Sequence, residues 1–188
     1  MKLIKPKFWS ERNSISYLLY PLSIITHLTN FLKKISPKKE FDIKTICVGN
    51  VYAGGTGKTS LAIKINTILN KKFRTVFVKK NYANQQDEIN LLKKNGKVIS
   101  LKNRILSLSE AQKQFNFAIL DDGLQEKTIK YNLKIVCINS TDGFGNEFLL
   151  PAGPLRESIN EIKNYDIAFL NGEKKNKKLK KKIKKINR

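Results

Sequence analysis

A chain of 188 residues with 40% hydrophobic and 28% charged residues is long enough for one domain with a proper core and too short for two large ones, and it is not a disordered or fibrous composition. The formal net charge of +22, carried by Lys far more than Arg, reads either as compositional bias or as attraction to anionic partners, and the charge alone names none of them. Cys47 and Cys137 each lie in an apolar run, with no C-x-x-C and a single histidine in the chain, which argues against a disulfide or a Cys/His metal site and for buried thiols in a reducing compartment.

Residues 1–40 stand apart. Ile15, Leu18, Leu22, Ile25, Leu28, Leu32 and Ile35 recur at helical spacing, with Phe8, Trp9, Tyr17 and Tyr20 toward one end. Lys2, Lys5, Lys7 and Arg12 precede the run, and Lys33, Lys34, Lys38 and Lys39 follow it. A spanning helix needs about 20 mostly apolar residues. Here Ser16, Pro21, Ser23, Thr26, His27, Thr29 and Asn30 interrupt the pattern, and no small-residue cleavage site marks a signal peptide. An amphipathic helix lying in a membrane interface fits better, with basic flanks near anionic headgroups; a helix packed on the domain core is the plainer alternative. His27 reads as a polar-face residue.

From residue 43 the chain alternates. IKTICVGN is an apolar strand, KTSLAIKINTILN a helix, RTVFVKK a strand, residues 86–94 a helix, KVISL a short strand and LSLSEAQKQ a helix. FNFAILDDG and LKIVCIN are strands. A long loop, STDGFGNEFLLPAGPLRES, leads to a short helix and a last strand, YDIAFLNG. This order predicts an α/β fold: a mostly parallel sheet with helices on both faces, ligands binding at the carboxyl ends of the strands, preceded by the amphipathic helix. The expected division is 1–40 for the membrane-interface helix, 41–173 for the main domain and 174–188 for a Lys-rich tail. Ten of those last fifteen residues are Lys or Arg, and Leu179, Ile183 and Ile186 are too few for a packed face, so a mobile tail or the start of a longer element is expected.

The stretch VGNVYAGGTGKTSLAIKI carries the strongest chemical signal. Its end fits the phosphate-loop pattern G-x-x-x-x-G-K-[ST], except that Tyr52 stands where the first glycine belongs. Gly54, Gly55 and Gly57 let successive backbone N–H groups turn inward toward phosphate oxygens, and the following helix adds its positive end. Thr56 and Ser60 complete the nucleotide-binding set. Lys58 can reach the β/γ-phosphates and the Thr59 hydroxyl can hold Mg²⁺. FAILDDG delivers Asp121 and Asp122 at a strand end, where a carboxylate beside the phosphate loop is the usual second metal anchor; solvated carboxylates in a turn are the alternative.

VGNVYAGGTGKT, LDDGLQ and GFGNEFLLPAGPLRE, in this order after an apolar N-terminal helix, resemble the tetraacyldisaccharide 4'-kinase (lipid A 4'-kinase) family over roughly residues 6–172. The resemblance implies a P-loop NTPase-like fold and transfer of the γ-phosphoryl of ATP to the 4'-hydroxyl of an acylated disaccharide lipid, with Mg²⁺, at the cytoplasmic face of the bacterial inner membrane. It also implies roles. Asp121, Asp122 and Glu157 work with metal, Asp87 is the candidate base, and Asn50, Glu88, Gln125 and Arg156 belong to the substrate side. The chain departs from the family at Glu126, where a His is usual, and at Lys80-Asn81-Tyr82, where Arg-Gly-Tyr is usual. Family members are also longer, and their second domain carries a His that partners the base, so an activity reduced for want of that partner is implied, or an ATP-binding membrane-surface module without turnover. A guanine-reading N-K-x-D is missing, which argues against a metal-delivery GTPase, and the Lys excess has no stacking or helix-turn-helix pattern behind it, so no nucleic-acid partner is expected.

Overall fold

The computed structural model describes residues 5–82, 86–173 and 176–187. The chain divides into two compact units, Pro37–Gly49 with Gly57–Ile135, and Met1–Ser36 with Asn50–Thr56 and Val136–Arg188.

The first of these is built on apolar runs too continuous for a strand with one wet face. β1 (Lys44–Gly49), β2 (Thr75–Val78) and β4 (Phe117–Asp121) are buried almost throughout, the pattern of parallel strands covered on both sides. β1 pairs with β4, β4 with β2, and β2 with the two-residue β3 (Val98–Ile99), all parallel. The register sets Val48 opposite Asp121 and Val78 opposite Leu120, so these strands finish level with one another. α2 (Lys58–Leu69), α3 (Gln86–Lys93) and α4 (Arg104–Ala111) are the crossovers. α4 starts two residues before the expected Leu106 because the Asn103 side chain accepts from Leu106 N at 2.8 Å and caps the turn. Val76, Phe77, Ile119, Leu120, Leu92 and Leu108 make the core.

The strand order of the six-stranded sheet is β3-β2-β4-β1-β5-β6, with β5 at Leu133–Asn139 and β6 at Ile167–Asn171. The alternating strands and helices, the mostly parallel sheet and the preceding helix all appear as expected; the short helix before β6 is of 3-10 type, Ile159–Asn164.

In the other unit, α1 (Ser14–Ile35) begins at a capping box in which Ser16 N donates to Asn13 Oδ1 and Asn13 N to Ser16 Oγ. Its amphipathicity is turned inside out. Ser16 and Ser23 are buried, Ser23 to 4% exposure, while Leu18 is 78% exposed and Ile15, Leu22, Ile24, Ile25, Leu28, Phe31 and Leu32 are exposed with it. The polar side is held by carbonyls of the long loop. Ser23 Oγ donates to Leu149 O at 2.8 Å, Thr26 Oγ1 to Leu150 O at 2.7 Å and Asn30 Nδ2 to Arg156 O at 2.7 Å. Among the described residues no helix is long and apolar enough to cross a membrane.

The Lys-rich tail departs from the mobile expectation. It forms α5 (Lys177–Ile186), with Leu179 and Ile183 one turn apart on a buried side. Two apolar residues suffice because both ends are anchored. Asn176 Oδ1 accepts from Leu179 N at 2.9 Å, and Asn187 Nδ2 donates to Ile162 O and Tyr165 O, both at 2.7 Å.

Candidate functional site

Gly57 opens α2 with φ 83°, a left-handed conformation that suits glycine, and this turn brings Lys58 and Thr59 to the start of the helix. Thr59 Oγ1 lies 3.1 Å from Asp121 Oδ2, and Lys58 Nζ lies 3.9 Å from Asp122 Oδ1. Asp121 closes β4 fully buried. Asp122 follows at φ 61°, uncommon outside glycine, with its N–H donating to Val48 O at 2.8 Å. Glycine must come next, since a Cβ at Gly123 would stand 2.9 Å from Cys47 Sγ and 3.2 Å from Tyr131 Oη. The chain therefore reverses sharply straight after the two carboxylates, and a non-glycine residue held at positive φ in such a place is a functional hint.

Two cations complete the arrangement. Lys79, 1% exposed at the end of β2, donates to Asp121 Oδ2 at 2.7 Å and to Glu88 Oε2 at 2.5 Å. Burial by itself lowers the Lys79 pKa, but the Asp121 charge and the hydrogen bonds to both carboxylates outweigh it and leave the ammonium raised above its ordinary value. Arg104, buried at the head of α4, donates from Nη2 to Asp122 O at 2.6 Å. Asp87 lies exposed beside Glu88 in the first turn of α3.

The residues preceding Gly57 belong to the other unit, where the long loop holds their backbone. Tyr52 bridges Leu155 in antiparallel fashion, Ala53 N donates to Pro154 O at 2.7 Å, and Arg156 N donates to Val51 O at 2.8 Å. Asn50 is buried and donates from Nδ2 to Gly54 O at 3.0 Å; Thr56 O accepts from Asn171 Nδ2 at 3.3 Å. Tyr52 replaces the pattern's first glycine without strain. Positive φ outside glycine is confined, among the described residues, to Asp122 and Glu147, and the buried Tyr52 ring takes the Lys5 ammonium over its face at 5.0 Å. The loop is braced in turn by Asn146, whose Nδ2 donates to Phe8 O and Ala152 O at 2.9 Å each and whose Oδ1 accepts from Phe148 N at 3.0 Å.

The family model described as tetraacyldisaccharide-1-P 4'-kinase matches residues 15–188. The chain belongs to that family. A tetraacyldisaccharide 4'-kinase from Pelagibacter ubique is 53% identical over 195 residues, covering 100% of this chain and 61% of the relative. One from Rickettsia bellii is 36% identical over 92% of this chain and 60% of its own length. The chain thus spans about three fifths of the length of these curated relatives. The crystal structure of "apo" form LpxK from Aquifex aeolicus in complex with ATP superposes with a TM-score of 0.72 at 24% identity, over 84% of this chain and 59% of that one, and shows the same fold.

Within the family's motifs, the structure joins Lys58, Thr59, Asp121, Asp122 and Glu88 through direct contacts or a shared partner, Lys79. Gln125 sits half-buried in the turn after β4, and Ser60 is exposed on α2. Gly54 and Gly55 precede the buried Thr56. Glu157, fully buried, accepts from Tyr165 Oη, and Arg156 is half-buried beside it in the loop. Sequence reasoning missed Lys79 and Arg104. Lys79 sits in VFVKK, which reads as a strand fading into solvated lysines; the only available signal was its place one step beyond β2, where the β2–β4 register carries it opposite Asp121.

Mg²⁺ suits the residues present. Asp121 Oδ1 is buried with no hydrogen-bond partner among the described residues, and the Thr59 hydroxyl lies against the other carboxylate oxygen, a pair of hard oxygen donors. No group of three or more His, Cys, Asp or Glu side chains gathers for a metal among the described residues.

Proposed function

We propose that this protein is an ATP-dependent lipid kinase that transfers the γ-phosphoryl of ATP to the 4'-hydroxyl of tetraacyldisaccharide 1-phosphate in lipid A biosynthesis. The observation that carries this reading is the family match over residues 15–188, which includes a phosphate-loop helix start whose Thr59 meets the buried Asp121. Residues 41–173 serve as the phosphoryl-transfer domain and 1–40 as the docking segment.

Phosphoryl transfer needs alignment and charge neutralisation more than covalent help. Amides at the start of α2, together with Gly54 to Gly57, cradle the phosphates, and Lys58 neutralises their oxygens. Thr59 and Asp121 would hold Mg²⁺, with Asp122 and Glu157 as further candidates, and the ion would supply neutralisation of phosphate charge. Asp87, exposed to an incoming substrate, accepts the hydroxyl proton, and Asn50, Glu88, Gln125 and Arg156 orient substrate groups.

The outward apolar side of α1 supports peripheral docking on the cytoplasmic face of the inner membrane, where an anionic lipid surface would meet its basic flanks. A cavity of about 470 Å³ lined by Arg12, Tyr20, Ser23, Ile24, His27 and Phe148 offers both apolar and polar walls beside that helix, as a glycolipid would require.

The test is turnover of the disaccharide lipid with ATP and Mg²⁺, compared with Lys58→Ala and Asp87→Ala. Both substitutions are expected to lower kcat/KM by about 10²–10⁴-fold, with ATP binding kept in Asp87→Ala. Turnover indifferent to Lys58 sinks the reading; ATP binding without any turnover moves it to a nucleotide-binding membrane module.

A further inference from the structure

Lysine is almost never fully buried unless paired, and a buried ammonium held by two carboxylates is a costly arrangement to keep. Lys79 is such a residue, and its placement follows from the sheet. β2 and β4 pair in parallel as far as Val78 and Leu120, so the next residue of each strand, Lys79 and Asp121, emerges at the same level. The contact is 2.7 Å, to Asp121 Oδ2 alone. That oxygen also lies 3.1 Å from Thr59 Oγ1, which leaves Oδ1 as the buried oxygen without a partner among the described residues. The second carboxylate on Lys79, Glu88 Oε2 at 2.5 Å, belongs to the half-exposed first turn of α3.

We infer that Lys79 is the resident counter-ion of the metal-anchoring carboxylate: its ammonium fixes which oxygen of Asp121 is offered to a divalent cation and, by its own charge, limits how tightly that cation is held. Lys79 is a positioning residue, acting on the cation through Asp121. The inference rests on the kinase reading given above. Its physical content is a trade. With the ammonium in place, one oxygen of Asp121 is engaged and the other is presented in a fixed orientation before any metal arrives. The same positive charge, one carboxylate away from the divalent ion, repels it in a weakly screened interior. Removing the charge therefore strengthens metal binding, whereas a residue that merely props up the fold would weaken metal binding when lost.

The experiment is Mn²⁺ binding in the presence of ATP, followed by the Mn²⁺ paramagnetic resonance signal, on the full chain and on Lys79→Met and Lys79→Arg. Lys79→Met is expected to bind Mn²⁺ roughly tenfold more tightly, with Lys79→Arg within about twofold of the unaltered chain because its charge is kept. Should Lys79→Met fail to fold, Lys79→Gln, which can still donate to Asp121 without a charge, carries the same expectation. Unchanged or weaker Mn²⁺ binding in the neutral variants overturns the inference while leaving the kinase reading intact. An unaltered chain that binds no Mn²⁺ with ATP, in an assay where a known ATP-binding kinase does, sinks the kinase reading and the inference together.

Discussion

Cys47 shows how a residue without chemistry of its own can shape the turn that follows two candidate site carboxylates. Its sulfur fills the space that a side chain at position 123 would need, and the Tyr131 hydroxyl, donating to Gly123 O at 3.0 Å, closes the other side. The reversal after Asp121 and Asp122 is thus packed from behind by a fully buried thiol and a half-buried phenol. Burial pushes the Cys47 thiol from 9.0 up to about 12, and burial likewise raises Tyr131 well above its ordinary value. A raised folded-state pKa gives a stabilisation that is complete below the unfolded pKa and lost as pH climbs through the folded one. For Cys47 that window runs from about 9 to about 12, and the raised ammonium of Lys79 loses its contribution at still more alkaline pH than its ordinary 10.5. We therefore expect stability to be flat with respect to these groups at neutral pH and to fall above pH 9, as read by urea midpoints across an alkaline series. Neither buried thiol should react with a disulfide reagent at pH 8 until denaturant is added. Rapid titration of a thiol in the folded protein would show that this packing is wrong.

At the scale of elements, α1 inverts the usual logic of an amphipathic helix. Its spacing was legible from the sequence, and so were its polar interruptions, but which side would face the protein was not. Periodicity reports that two faces differ; it does not report that carbonyls of Leu149, Leu150 and Arg156 wait for Ser23, Thr26 and Asn30. With the polar side engaged, the apolar side is left outward, an exposed surface larger than isolated solvent-facing leucines would account for. If this surface enters a lipid interface, charges placed on it should weaken docking strongly without touching the fold. The triple substitution Leu18→Glu, Ile25→Glu, Leu32→Glu is expected to lower the vesicle-bound fraction by at least about tenfold, since burying each leucine or isoleucine is worth about 1.5–3 kcal/mol. The melting temperature should stay the same or rise slightly, because none of the three is buried. Co-sedimentation with vesicles and thermal unfolding measure the two halves of this expectation, and a melting temperature that drops sharply would mean that the apolar side is packed in solution.

Taken over the whole molecule, what could be read from sequence were features written in consecutive residues. The continuous apolar runs of β1, β2 and β4 announced buried parallel strands, the glycine cluster before Lys58 announced a turn opening a helix, and the acidic pair marked a strand end. What could not be read were contacts set by register and capping. Lys79 meets Asp121 across two strands separated by α3, β3 and α4 in the chain, and α5 is ordered by asparagines at either end despite a face of lysines. The net charge of +22 belongs to this scale as well: ten of its basic residues lie among the last fifteen and the rest are distributed along the chain, so no single contact accounts for it. It should act as a long-range attraction to anionic surfaces on top of the short-range apolar grip of α1. The two are separable by salt. Raising ionic strength from about 0.1 M to 1 M shortens the screening length from about 10 Å to about 3 Å and removes most of the first while leaving the second. Binding to anionic vesicles is therefore expected to fall steeply with salt to a plateau, not to zero, and binding to zwitterionic vesicles to lie near that plateau at every salt concentration. The triple Glu variant should lose the plateau at high salt and keep part of the salt-sensitive binding at low salt. Binding that vanishes at 1 M salt in the unaltered chain would assign attachment to charge alone and leave the outward face of α1 without a role at the membrane.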